Sequence, residues 1–323
     1  MNELLSKIKP IETIEELANV LGISSDLLIE ISNNANNYYR SNKPRLKADG
    51  RKRQTYRVLK TLKDIQEQIK NNIFYYVEYP YYLQGGIKDA TYPRGYIQNA
   101  TVHSGNKIVI KEDIADFFPS IKFSHVFDVW KLFFRCSDDV AQILTRLTTY
   151  HGFVPQGAKT SSYLANLVLW DEEPNLVVIL QSKGFTYSRL VDDITISTNM
   201  LLTKQEVENV TKNVYQMMFS KGLKPKRQKR MFMTSGFRIN IHNLNTNSGR
   251  PTVSKAERKR IRAAVDECET AAKLRMSRRD YEKIFLSVRG RVAVLETLHP
   301  NLAKRYLEKL EVLTPTNIYK DVD

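Results

Sequence analysis

The sequence predicts an α+β fold, and three observations carry that prediction. Period-2 alternation marks short strands at 107–113 and on either side of residues 192–193. Apolar residues recur at helical spacing through 11–40, 59–74 and 203–220. The last third of the chain reads as helices rich in Lys and Arg.

Taken in order, Ile14, Leu17 and Leu21 define one helical face, and Ser24 or Ser25 caps a second helix carrying Leu27, Leu28 and Ile31. Residues 40–57 form a basic hairpin around the turn signal Ala48-Asp49-Gly50, with Lys52, Arg53 and Arg57 on its strands. A helix follows over 59–74. The stretch 75–96 is dense in tyrosine and contains Gly85-Gly86. A strand over 107–113 ends on Asp113, and an irregular segment to Ile121 leads into helices near 125–134, 140–150 and 160–169. The segment 185–198 reads as two strands with Asp192 and Asp193 at their junction. Beyond the helix at 203–220, a strand is expected over 231–241, a polar turn over 243–251, and helices over 253–274, 280–291 and 301–312.

Charge narrows the class of partner. The 323-residue chain carries a net charge of +15, and residues 221–310 hold 23 Lys or Arg against 8 Asp or Glu, so the remainder sums to zero. So local an excess is the footprint of a polyanion, and no Trp/Leu anchor accompanies it to suggest a membrane. In the helix over 253–274, Lys255, Arg258, Lys259 and Arg262 share adjoining positions and are the candidate nucleic-acid contacts, RNA on the resemblance given below. Two distant cysteines, Cys136 and Cys268, support neither a disulfide framework nor a zinc site. Without an apolar run long enough to span a bilayer, or a signal-peptide core, a cytoplasmic location is expected.

The chemistry is concentrated in carboxylates. An isolated Asp-Asp pair reads as a solvated turn, yet adjacent carboxylates at a hairpin tip repel each other, and a cation relieves that repulsion. If the strand ending at Asp113 pairs in one sheet with the 185–198 hairpin, three carboxylates converge and can hold two hard divalent cations, magnesium above all. Phosphoryl transfer then needs positioning and charge neutralisation rather than a nucleophilic side chain. That suits a sequence without a Ser-His-Asp or Cys-His arrangement.

DIADFFPSI, PQGAKTSSYLANL and YSRLVDDITIS, in that order, resemble three successive palm motifs of reverse transcriptases. NATVH resembles the NAxxH signature of the bacterial retron subgroup, and 287–310 resembles thumb helices of that family. The resemblance covers about residues 35–312. It implies a right-hand polymerase: an N-terminal helical extension over 1–40, fingers over 41–105 with part of 135–165 at the fingers–palm junction, a palm over 106–235 built on an antiparallel sheet flanked by helices, a helical thumb over 236–312, and a tail over 313–323.

The resemblance also implies roles. Asp113, Asp192 and Asp193 are the metal-site carboxylates, and Ile114 adds a backbone carbonyl. Phe118 stands where a ribose 2′-hydroxyl would sit and selects deoxynucleotides. Ala115 and Asp116 offer backbone N–H groups to the triphosphate, Arg53 binds it, Gln156 lines the pocket at the templating pair, and Lys229 assists the leaving pyrophosphate. Asn99 and His103 of NATVH, with Ser235 and Gly236 where the subgroup shows Val-Thr-Gly, join the RNA contacts. Leu190 replaces the tyrosine of Tyr-x-Asp-Asp, and Lys159 stands where proline is usual.

The function implied is RNA-directed DNA synthesis by a retron. A structured noncoding RNA primes from a guanosine 2′-hydroxyl and is copied into multicopy single-stranded DNA from dNTPs, in a phage-defence unit with an effector protein. A reverse transcriptase of the abortive-infection or intron type, and an RNA-binding scaffold without catalysis, are the alternatives.

Overall fold

A computed structural model describes residues 5–46, 50, 52–89, 91–274 and 276–319. The expected turn residues Ala48 and Asp49 and the end of the acidic tail lie outside them. The chain divides into two compact units, one of Met1–His103 with Lys107–Thr234, the other of Ser104–Asn106 with Ser235–Asp323.

In the first unit, the helix Ile14–Leu21 starts at a capping box between Thr13 and Glu16 and ends at Gly22 in the left-handed conformation. Ser24 caps the next helix, Ser25–Asn33. The first packs with Lys60–Asn72 and both pack with Asp138–Thr148, burying Leu17, Leu28, Leu62 and Leu144 completely. Each such side chain contributes about 1.5–3 kcal/mol relative to exposure.

The central feature is a four-stranded antiparallel sheet. Its strands, numbered within the sheet, are β1 (Ile108–Asp113), β2 (Thr186–Leu190), β3 (Asp193–Thr198) and β4 (Met231–Thr234), in the spatial order β4-β1-β3-β2. β1 and β3 pair along their full length, from Ile108 opposite Thr198 to Asp113 opposite Asp193. A smaller hairpin, Arg45–Leu46 with Lys52–Arg53, sets Arg53 opposite Arg45.

The second unit holds a three-stranded sheet, Asn240–Ile241, Leu244–Asn245 and Thr252–Val253, and the helices Lys255–Lys273, Arg278–Leu298 and Pro300–Val312. Ile261, Val265, Tyr281, Val292 and Leu295 are buried in it. The single strand expected over 231–241 is interrupted after Thr234. Asn247 takes the Ile239 N–H at 2.8 Å and donates to the Phe237 carbonyl at 2.8 Å, so this stretch is held by a side chain instead of a ladder. The polar turn expected over 243–251 supplies one of the short strands.

Candidate active site

Ile108, Val109 and Ile110 are all buried, which carries β1 through the core as far as its last residue. That residue is Asp113, 3% exposed, with Asp193 as its register partner. β2 and β3 are joined by only two residues, Val191 and Asp192. Val191 has φ 61°, a left-handed conformation that costs a β-branched residue on the order of 1–3 kcal/mol. The Ile114 N–H donates to the Asp192 carbonyl at 3.0 Å and ties this turn to the chain leaving β1. Of the two adjacent aspartates, then, Asp192 occupies the turn and Asp193 begins the strand.

The three carboxylates feel one another. Burial, followed by the charges of Asp113 and Asp193, pushes the Asp192 carboxyl up to about 6. Burial also raises Asp113, and Asp193 adds to the effect while Lys229 opposes it. Lys229 Nζ lies 2.6 Å from Asp113 Oδ2. Burial works against that ammonium, but its bond to Asp113 and the charges of all three aspartates outweigh burial and raise its pKa.

A cleft of about 600 Å³ opens beside these groups. Arg53, Phe118, Gln156 and Lys229 line it, together with Ile114, Asp116 and Asp192. Asp116 has φ 43° and caps the short helix Phe117–Ser120, which brings Phe118 to the wall. Gly157 fixes the backbone beside Gln156. Its φ is 113°, and a Cβ there would lie 2.5 Å from the Tyr56 carbonyl oxygen, while the Tyr56 N–H donates to Gln156 at 2.8 Å. Backbone thus meets backbone beside Gln156. Lys52 reaches the cleft as well, whereas Arg57 pairs with Arg40 and does not line it.

Carboxylate oxygens are the hard donors that divalent cations take. The donor set fits such an ion: three carboxylates are crowded together, and an ammonium is already drawn onto one of them. Among the described residues no three His, Cys, Asp or Glu side chains form a ready-made metal cluster. What the chain presents is a set of donors held close by β1 and the Val191 turn.

Several expectations need correction. The Ala115 N–H is not presented to the cleft, because it donates to the Lys224 carbonyl at 2.8 Å. Asn99 and His103 cannot touch RNA, since both are 0% exposed. His103 instead spans the two hairpin strands, with Nδ1 2.7 Å from Ser197 Oγ and Nε2 2.6 Å from Ser188 Oγ, and Ser188 Oγ donates to Asn99 Oδ1 at 2.5 Å. The NATVH signature pins the helix Tyr96–Val102 to the sheet. In the second unit, Lys255, Lys259 and Arg262 are exposed along one helix, Arg258 is half-buried, and Ser235 and Gly236 are exposed.

Sequence reasoning missed Glu173, Arg189 and the role of Gly85. Glu173 and Arg189 are fully buried, with Arg189 Nε 2.6 Å from Glu173 Oε1. An arginine in an otherwise apolar alternation, two residues after Tyr187, was the available signal.

The reverse transcriptase (RNA-dependent DNA polymerase) family matches residues 43–269. The chain is 33% identical to the retron Se72 reverse transcriptase of Salmonella heidelberg over 90% of its own length and 76% of that protein. It is 30% identical to the retron Ec48 reverse transcriptase of Escherichia coli over 97% of its length and 79% of that protein. The chain belongs to the retron reverse transcriptases. A solved telomerase from Candida albicans, in complex with a fragment of telomeric RNA, shares 11% identity over 67% of this chain and 44% of that one at a TM-score of 0.38. That likeness is slight, and the assignment rests on the sequence relatives. This retron reverse transcriptase is accordingly an RNA-directed DNA polymerase of α+β polymerase fold, with an RNA template as partner and the divalent-metal dependence general to its family. No helix among the described residues is long and apolar enough to cross a membrane.

Proposed function

We propose that this enzyme copies part of a structured noncoding RNA into multicopy single-stranded DNA, starting from a guanosine 2′-hydroxyl of that RNA, with dNTPs as substrates and two Mg2+ ions per active site. The observation that carries the polymerase chemistry is the meeting of Asp113, Asp192 and Asp193 beside a cleft walled by Arg53, Phe118, Gln156 and Lys229. Fingers over 41–105, a palm over 106–235 and a thumb over 236–312 belong to the same reading.

Asp113, Asp192 and Asp193 hold the cations, with the Ile114 carbonyl as a further oxygen donor. Bound magnesium supplies charge neutralisation at the attacking and leaving oxygens of phosphoryl transfer. Arg53, on its short hairpin, and the backbone N–H of Asp116 take the triphosphate, and the Arg53 guanidinium suits phosphate geometry. Lys229, whose ammonium lies beside Asp113, would bring positive charge to the departing pyrophosphate, where negative charge develops. Phe118 closes the space that a 2′-hydroxyl needs, and Gln156 packs at the templating pair. Lys255, Arg258, Lys259 and Arg262, with Ser235 and Gly236, contact RNA, largely through phosphates.

Service in antiphage defence with an effector protein, in the cytoplasm, completes the proposal, and membership of the retron group is what supports it. The test is synthesis by the purified protein with its co-purifying RNA, dNTPs and Mg2+. A DNA product covalently joined to RNA is expected, and sequencing the RNA identifies the template. No product, or a product undiminished by Asp192→Asn with Asp193→Asn, would refute the reading.

A further inference from the structure

A fully buried ion pair is expensive, and well-packed apolar residues often do as well or better for stability. Glu173 and Arg189 nevertheless form one at the heart of the first unit, both 0% exposed. The guanidinium is bidentate on the carboxylate, with Nε 2.6 Å from Oε1 and Nη2 2.7 Å from Oε2. Tyr187 donates its hydroxyl to the same Oε1 at 2.7 Å. The remaining guanidinium donors go to backbone: Nη1 to the Val191 carbonyl at 2.9 Å and the Ala165 carbonyl at 3.1 Å, Nη2 to the Asn166 carbonyl at 3.1 Å. The Arg189 Cζ also lies 5.9 Å from the centre of the Phe117 ring, next to Phe118.

One of these bonds reaches the turn that carries Asp192. Val191 is its first residue and holds the strained φ of 61°. The guanidinium grips Val191 through its carbonyl. On another side stands Gly85, where a Cβ would lie 2.8 Å from Val191 Cγ2 and 3.0 Å from the Val191 nitrogen. Gly85 is itself fastened, because Asn166 Nδ2 donates to its carbonyl at 2.8 Å and the neighbouring Gln84 N–H donates to the Arg189 carbonyl at 2.8 Å. Val191 is therefore held between a buried guanidinium and a side-chain-free stretch of backbone. A lysine could keep the charge of Arg189 but not its planar fork of donors.

We propose that Arg189, locked by Glu173, is a positioning residue that holds Val191 in its left-handed conformation and so fixes Asp192 and Asp193 opposite Asp113. The inference rests on the reading of those aspartates as the metal-site carboxylates. It assigns the stability cost of the buried pair to the aim of the turn.

The test uses the full chain on poly(rA)·oligo(dT) with dTTP and Mg2+, with thermal unfolding recorded for each variant. Arg189→Lys and Glu173→Asp keep both buried charges. The expected result is a folded protein whose kcat falls about 10–100-fold, as for a misplacement of about 1 Å, while KM for dTTP stays within about threefold. Val191→Gly removes the backbone strain that the guanidinium restrains. In the Arg189→Lys background it restores kcat by about 3–10-fold, a coupling that a general packing role would not produce. Wild-type kcat in a folded variant, a loss that Val191→Gly does not relieve, or unfolding of both variants at the assay temperature would each overturn the proposal. Asp192→Asn with Asp193→Asn serves as the separate arm. Synthesis surviving there removes the reading of the carboxylates, whereas its loss leaves the Arg189 result to judge the positioning role alone.

Discussion

Lys229 places its ammonium nitrogen 2.6 Å from Oδ2 of Asp113, so a side-chain cation already sits on the most deeply buried of the three carboxylates. On the proposed reading a divalent ion and this ammonium would compete for one oxygen. Lys229→Met is expected to tighten Mn2+ binding several-fold, on the order of 1 kcal/mol, as read by electron paramagnetic resonance titration. The same variant should slow nucleotide addition about 10–100-fold, the scale of losing one charge-stabilising group. Unchanged Mn2+ affinity would separate Lys229 from the cation site.

The crowding of Asp113, Asp192 and Asp193 should act in opposite directions on folding and, on the proposed reading, on catalysis. At neutral pH and in EDTA, Asp192→Asn removes a partly buried charge that repels its neighbours and should stabilise the fold by on the order of 1–3 kcal/mol. DNA synthesis by the same protein should fall by about three orders of magnitude or more. Denaturant unfolding and primer extension on one preparation check both directions.

Phe118 stands on the cleft wall, half-buried, next to buried Phe117. Phe118→Val should admit ribonucleotides, lowering the preference for dNTPs over rNTPs by roughly 10–100-fold, in keeping with the 1–3 kcal/mol that small changes in pocket shape command. Competition between labelled dGTP and GTP gives the ratio.

His103 and Asn99 are assigned to the fold and not to RNA. Replacing His103 by Ala removes its bonds to Ser188 and Ser197, both buried, and should cost about 2–4 kcal/mol by chemical denaturation. At a temperature where the variant remains folded, RNA affinity should match that of the parent. A selective loss of RNA binding would restore the contact role.

For the second unit, neutralising Lys255, Lys259 and Arg262 together should reduce the slope of log K against log salt by about 2–3, each phosphate contact contributing close to one. Filter binding across a salt series measures it.

Helical spacing at Ile14, Leu17 and Leu21, and the alternation around Asp192 and Asp193, gave elements that the structure reproduces closely. Local patterns of this kind follow from which face is buried. Harder to read was anything depending on contact between distant segments. Glu173 and Arg189 are 16 residues apart on a helix and a strand, and no periodicity marks an ion pair as buried. His103 carries a signature, but a signature does not say whether its residues point outward, and here two serines 85 and 94 residues away enclose it. The Ala115 N–H was misread for the same reason, its acceptor Lys224 lying far along the chain.

Gly157 leaves no room for a side chain against the Tyr56 carbonyl, so main chain presses on main chain between Tyr56 and Gln156, two residues that line the cleft. Selection for a polymerase that accepts bulkier nucleotides should then leave position 157 glycine in every survivor. The changes should collect instead at the side chains that project from the walls, Gln156, Phe153 and Phe118, making the cleft a rigid frame with exchangeable panels.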